Sequence, residues 1–201
     1  MTDESGAEGG AAGGHRARLM DGMAAAVAER GYADTTIADI VRHARVSKRT
    51  FYEQFAGKEE CLLALYAAAS GRVMDAIAEA VRGGADLDAQ VALATEAYLG
   101  RMQSQPVLTR TLILEILAAG PAGLRVRRDV NRRYAELFVA VVEADRRAHR
   151  GRRSLSPQLA AAAVGGINEL VLQAVLEDRA DRLAELAEPA GDLLRAVIAA
   201  R

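Results

Sequence analysis

The chain has 201 residues, with 26 Lys or Arg against 27 Asp or Glu and a net charge of −1. That balance excludes a general polycation, so any nucleic-acid binding must come from a local patch. A hydrophobic content of 51% supports a sizeable core, and an aromatic content of 4% means that Ala, Leu and Val fill it. With β-branched alternation almost absent, the composition predicts an all-α fold. Cys61 is the single cysteine, which excludes an intramolecular disulfide; among Leu62, Leu63 and Leu65 it reads as a buried structural thiol. No run approaches the ~18 consecutive apolar residues that span a bilayer, and the N-terminus is acidic before any apolar run, so a cytoplasmic protein is expected.

Residues 1–14 are rich in Gly, Ala and acids and lack periodicity, which predicts a disordered tail. A first helix is predicted from about His15 to Arg30, with Leu19, Met23 and Val27 on one face and a stop at Gly31. Thr36 then stands as an N-cap, with Asp39 placed to complete a capping box. Ile37, Ile40, Val41 and Ala44 follow at helical spacing. The pattern breaks at Arg45 and Val46, and Ser47 is a second N-cap candidate. Beyond it Phe51 and Phe55 lie four apart on one face, while Lys48, Arg49, Thr50 and Tyr52 are polar.

Two short helices around a tight turn form a helix-turn-helix, whose second helix enters the DNA major groove N-terminal end first. The leading turn Ser47-Lys48-Arg49-Thr50 carries two cations and two hydroxyls, groups that pair with guanine edges and phosphate oxygens. Lys48 and Arg49 are the candidates for base edges, and Arg49 is the better one for a bidentate guanine contact. Residues 41–50 hold Arg42, Arg45, Lys48 and Arg49 with His43 and no acid. Alone, such a cluster reads as a solvated face; its place at the turn reverses that preference.

A long fourth helix is predicted from Lys58 to about Val81, roughly 35 Å at ~1.5 Å per residue. Leu62, Leu65, Tyr66, Ala69, Val73, Ile77 and Val81 recur along it, and Gly83-Gly84 ends it. Asp86 caps a fifth helix over Leu87 to Gln103, and a sixth runs from Pro106 to Ala118. After Gly120-Pro121 a seventh spans Ala122 to Ala148, with Arg125, Arg127, Arg128, Arg132 and Arg133 read as its solvated side. His149, Arg150, Arg152 and Arg153 make a basic loop. Ser156-Pro157 opens an eighth helix to about Asp178, where Gly165 and Gly166 each lose about 0.8–1.0 kcal/mol relative to Ala, so close packing is expected there. Pro189 starts or kinks a last helix.

No positive case for catalysis emerges. His15, His43 and His149 lie on separate segments without ligand partners three or four residues away, so no metal site is expected. No phosphate loop or nucleophile motif is present, and no catalytic residue or cofactor is expected. Glu115, inside the run from Leu112 to Leu117, has two readings of equal weight: an internal polar site, or a helix edge facing solvent.

From Arg16 to Tyr66 the chain resembles the TetR family of bacterial transcriptional regulators. The resemblance rests on Gly31-Tyr32, Thr35-Thr36, Val46-Ser47, Thr50-Phe51-Tyr52, Phe55, Lys58-Glu59 and Leu62-Leu63 in one register. Arg45 stands where the family usually has Gly in the turn, and Arg49 where Gly or Pro is common. The resemblance implies about nine helices, with residues 15–57 binding DNA and residues 58–201 forming a ligand-binding and dimerisation domain. It also implies phosphate contacts from Thr36, Ser47, Thr50, Tyr52 and Lys58, with Arg45 a weaker candidate.

One helix-turn-helix reads a half-site, so a homodimer is expected. Its interface is assigned to Ala162, Ala163, Gly165 and Gly166 of the eighth helix and Leu193, Leu194, Val197 and Ile198 of the last. Sparse polar groups in apolar stretches suit a small-molecule cavity: Thr95, Tyr98, Met102, Glu115, Tyr134, Phe138, Asn168 and Gln173. Two functional readings follow. One is a repressor released from double-stranded operator DNA by a small, elongated apolar inducer. The other is a helical protein-interaction module that has lost operator binding; the polar face of the second helix, turned away from Phe51 and Phe55, favours the first.

Overall fold

The computed structural model describes residues 5–149 and 154–199. Among them are nine α-helices and no strand, in line with the all-α reading. The helices are α1 Ser5–Asp34, α2 Ile37–Ala44, α3 Lys48–Gln54, α4 Lys58–Ala80, α5 Leu87–Gln103, α6 Pro106–Ala118, α7 Gly120–Ala148, α8 Pro157–Leu176 and α9 Ala187–Ala199. Short 3-10 turns over Val81–Gly83 and Leu183–Leu186 follow α4 and precede α9.

The first boundary differs from expectation. α1 begins at Ser5, inside the segment read as a tail to Gly14. Propagation costs far less than nucleation, so alanines such as Ala7, Ala11 and Ala12 extend an established helix despite intervening glycines. Met1 and the residues up to Glu4 lie outside the described residues, as do Arg150, Arg152 and Arg153 of the basic loop. The break at Gly31 is present: its φ of 76° and ψ of 162° turn the chain out of the helix, a conformation open to glycine.

Both N-caps form. The Thr36 hydroxyl accepts from Asp39 N while the Asp39 carboxylate accepts from Thr36 N, a reciprocal capping box. Ser47 Oγ accepts from Thr50 N at 3.0 Å. Between the caps Arg45 takes the left-handed conformation, φ 53° and ψ 47°, that its position in the turn demands. Val46 N reaches back to the Val41 carbonyl at 3.1 Å and closes the end of α2.

Two cores divide the chain. Leu19, Met23, Ile40, Phe51, Phe55 and Leu62 are fully or almost fully buried in the first, which joins α1 to α4. At Gly22 a Cβ would stand 2.6 Å from the Ile40 carbonyl oxygen, so glycine lets α1 and α2 approach closely. Leu112, at the middle of α6, and Ala119, just past its end, belong to this N-terminal core rather than to the other one. The second core holds Leu99, Val142, Ala160, Val171, Val175 and Leu183 and joins α5, α7, α8 and α9. By length and hydropathy α4 with its 3-10 extension and α8 could each cross a membrane. In the fold, the apolar stripe of α8 (Ala160, Ala163, Ile167, Val171, Ala174) is spent on the second core.

Candidate nucleic-acid interface and internal cavity

α3 turns Phe51 inward and its leading polar residues outward. Phe51 and Phe55 sit in the N-terminal core, with ring centroids 5.8 Å apart. Lys48 and Arg49 are exposed, Arg49 with 90% of its side chain accessible. Arg49 Nε donates to Glu53 one turn on at 3.0 Å, an exposed pair that contributes little and yields readily to another anion. Tyr52 is 59% exposed. Lys48 and the Arg45 side chain have no hydrogen-bond or ion-pair partner among the described residues. Arg45, Ser47, Lys48, Arg49 and Thr50 lie along the turn and the leading end of α3, with Ser47 Oγ and Thr50 Oγ1 2.9 Å apart, while Thr36 caps the opposite end of α2 and exposed Tyr52 lies further along α3. Arg42 is engaged elsewhere, with Glu29 at 3.5 Å and Asp39 at 3.6 Å. Hydrogen bonds from Thr36, ahead of the nearby Arg30 and Arg42 charges, hold the Asp39 carboxyl below its ordinary range.

Lys58 has a different place from the one the sequence suggested. Its Nζ donates to the carbonyls of Tyr32, Ala33 and Thr35 at 2.9, 3.0 and 2.9 Å. An ammonium has three donors, and all three are used. Lys58 is therefore a clamp on the chain end that Gly31 turns outward, and it has no N–H left for a phosphate. Arg16, which sequence reasoning left unassigned, does similar work at α3. Its Nη1 donates to the Gln54 carbonyl at 2.8 Å, and its guanidinium lies 4.2 Å from the Phe55 ring centroid. A C-terminal carbonyl of α3 is satisfied this way, and α3 is tied to α1.

The second unit contains two neighbouring cavities. One, of about 100 Å³, lies among α4, α5, α6, α7 and α8, and its walls include Tyr66, Met102, Thr109, Leu112, Ile116 and Asn131. The other, of about 90 Å³, is walled by Ile77, Val91, Thr95, Phe138, Val141 and Ile167. Tyr98, Tyr134 and Asn168 line both. The Tyr98 hydroxyl donates to Asn168 Oδ1 at 2.9 Å, and Asn168 Nδ2 donates to Asn131 Oδ1 at 3.0 Å. Tyr134 donates to the Ser70 carbonyl at 3.2 Å. Burial pushes all three tyrosine hydroxyls, those of Tyr66, Tyr98 and Tyr134, above their ordinary range.

Six of the eight residues read as cavity-lining reach the cavities: Thr95, Tyr98, Met102, Tyr134, Phe138 and Asn168. Glu115 and Gln173 do not. Half-buried Glu115 faces the end of α1, its Oε1 3.5 Å from where a Cβ of Gly31 would stand. Gln173 is exposed and donates to Glu169 on its own helix. Arg127 is a correction in the other direction. Read as part of a solvated arginine face, it lines the first cavity with Arg72 and Arg101. The signal was present in its spacing: Val130, Tyr134 and Phe138 follow it at helical intervals on the inward stripe of α7, whereas Arg125, Arg128 and Arg132 lie off that stripe.

The residues assigned to a dimer interface separate into two groups. Ala163 and Leu194 are buried within the second core, and Gly166 packs on Leu193, whose Cδ2 would lie 3.0 Å from an added Cβ. These serve α8–α9 packing inside the subunit and are removed from the interface. Ala162 and Gly165 are exposed on the helix face that also carries exposed Leu159 and, about three turns beyond Gly165, Leu176, while Leu193, Val197 and Ile198 are half-buried against the core.

Among the described residues no group of three or more His, Cys, Asp and Glu side chains is placed to hold a metal ion. Residues 19–65 match the family of bacterial regulatory proteins designated tetR. No curated protein matches the chain. Among solved structures, the fatty acid degradation regulator FadR from Bacillus halodurans is similar at TM-score 0.76 and 21% identity, over 89% of this chain and 96% of that one. FadR from Bacillus subtilis, in complex with stearoyl-CoA, is similar at TM-score 0.77 and 20% identity over the same shares. The TetR-family regulator PfmR from Thermus thermophilus has TM-score 0.64 and 22% identity, over 88% and 93%. At these identities the likeness establishes the fold.

Proposed function

We propose that this chain, which carries the DNA-binding unit of the TetR family at its N-terminus, is a transcriptional regulator controlled by a small molecule: a cytoplasmic, homodimeric repressor that a largely apolar ligand releases from double-stranded operator DNA. One observation carries the ligand-control part. Leu112 of α6 is buried in the core that holds α1–α4 and also lines the first cavity. A ligand that displaces α6 therefore acts on the packing of the reading head directly. α4 offers a parallel route, since Lys58 clamps its first turn to the end of α1 while Tyr66, Ala69 and Val73 line the same cavity.

In a dimer two heads must sit ~34–36 Å apart to reach successive major grooves, so a small tilt of α4 or α6 moves both off their spacing. The base contacts fall to Lys48 and Arg49, and the phosphate contacts to Thr36, Ser47, Thr50 and Tyr52, with Arg45 beside them. The structural similarity to a FadR bound to stearoyl-CoA supports a ligand with an acyl chain.

Calorimetric titration of stearoyl-CoA, with and without DNA from upstream of the chain's own coding region, tests the reading. Linkage requires operator DNA to weaken ligand binding by the factor by which ligand weakens DNA binding. Reciprocal weakening is expected; equal affinities in the two titrations would contradict control by that ligand.

A further inference from the structure

We infer that the two cavities form one divided site for an anionic amphiphile, with the negative head group held by Arg127, Arg101 and Arg72 and the apolar tail lodged beyond Tyr98 and Asn168. This rests on the ligand-control reading above and specifies the chemistry of the ligand.

The three arginines come from three helices, α4, α5 and α7, and line the same cavity. Among the described residues none of their side chains has a hydrogen-bond or ion-pair partner, and no Asp or Glu lines either cavity. Arg101 and Arg127 are half-buried, whereas Arg72 is exposed. A guanidinium removed from water without a counter-charge is costly, so a polar, positively charged wall with no internal acid suits an incoming anion. Arg127 is half-buried and lies on the inward stripe of α7. Its charge acts on the Tyr66 and Tyr98 hydroxyls, opposing the rise that burial causes in both.

The second cavity has the opposite chemistry. Apart from Gln90 and the shared Tyr98, Tyr134 and Asn168, its walls are aliphatic or Phe138, with Thr95 spending its hydroxyl on the Val91 and Ala92 carbonyls. The chain Tyr98–Asn168–Asn131 marks the change from one chemistry to the other. A wholly apolar ligand would leave the half-buried Arg101 and Arg127 without a partner, and a wholly polar one would leave the second cavity without an occupant. A molecule with a carboxylate or phosphate at one end satisfies both. Two sources share that chemistry, a free alkanoate and an acyl chain conjugated to a phosphorylated carrier.

The test uses the full-length protein and three probes with one chain length: dodecanoate, its methyl ester and its coenzyme A thioester. Binding is measured by calorimetry, and DNA binding by fluorescence anisotropy is measured separately. At least one anionic probe is expected to bind about tenfold or more tighter than the ester, the factor equivalent to one charge-assisted hydrogen bond. Whether dodecanoate or the thioester shows this preference identifies the source of the charge. Arg127→Met is expected to remove the preference with DNA affinity unchanged, and Arg127→Lys to retain most of it, which separates lost charge from lost folding.

Equal binding of the ester and both anions, no binding of any probe, or a preference that survives Arg127→Met would overturn the inference. If the ester alone binds and releases DNA, the anionic head group is wrong and ligand control stands. If an anion binds through Arg127 without affecting DNA, the inference stands and ligand control by that anion fails.

Discussion

Lys58 Nζ lies 4.7 Å from the centroid of the Tyr32 ring and donates to the Tyr32 carbonyl at 2.9 Å, so one ammonium holds both the face and the backbone of the residue after the Gly31 kink. Lys58→Met keeps the aliphatic stem and removes three charge-assisted hydrogen bonds. Stability is expected to fall by about 1–3 kcal/mol, read from urea unfolding. The slope of log affinity against log salt should stay unchanged. A slope smaller by about one unit, with unchanged stability, would return Lys58 to the phosphate contacts.

Arg45 holds a left-handed conformation that costs a residue with a Cβ roughly 1–2 kcal/mol. Arg45→Gly relieves that cost but frees the unfolded chain by roughly 0.5–1 kcal/mol. The net expectation is a gain of up to about 1.5 kcal/mol, read from thermal unfolding. If Arg45 also touches a phosphate, the same variant binds DNA with a salt slope smaller by about one unit.

Burial raises the Cys61 thiol from 9.0 to about 12. The folded state thus keeps its proton to higher pH than the unfolded chain. The associated stability is fully present below pH 9 and is lost as pH rises from about 9 to about 12. Accordingly, a thiol-alkylating reagent at pH 8 should leave native protein unmodified and label it in denaturant. Rapid labelling of the native state would contradict the burial of Cys61 against the Leu19 carbonyl.

Gly165 and Gly166 are neighbours with opposite surroundings. A Cβ at Gly165 meets nothing within 4 Å, whereas one at Gly166 meets Leu193 at 3.0 Å. Within a single subunit Gly165→Ala should stabilise α8 by roughly 0.8–1.0 kcal/mol, while Gly166→Ala must displace Leu193. If Ala162, Gly165, Leu159 and Leu176 form the dimer face, Gly165→Glu gives monomers in sedimentation with the helical content retained. An unchanged dimer would remove this face from the interface.

Short-range chemistry was the legible part of the sequence. Thr36, Asp39 and Ser47 cap helices because their oxygens lie three residues from the amides they satisfy, a relation fixed by local geometry. The same holds for Gly31 and for the αL residue at Arg45. Lys58 was misplaced because its partners lie more than twenty residues earlier and are presented together only by the kink at Gly31. Arg16 was missed for the same reason, since its target is a carbonyl at the end of α3. Arg127 was legible in principle, but five arginines within residues 125–133 masked the one on the apolar stripe. Ala163 and Leu194 look like interface residues in sequence because a buried subunit core and a dimer seam ask for the same small or apolar side chains.

The central claim is that α3 reads DNA sequence, and the most direct measurement is fluorescence anisotropy of the chain on its own upstream DNA and on scrambled DNA across a salt series. The wild-type chain should prefer its own site, with log affinity falling linearly in log salt. Arg49→Ala should lose about 1–3 kcal/mol on that site and little on scrambled DNA, narrowing the preference. Equal affinity of the wild-type chain for both DNAs, unaltered by Arg49→Ala, would contradict the account.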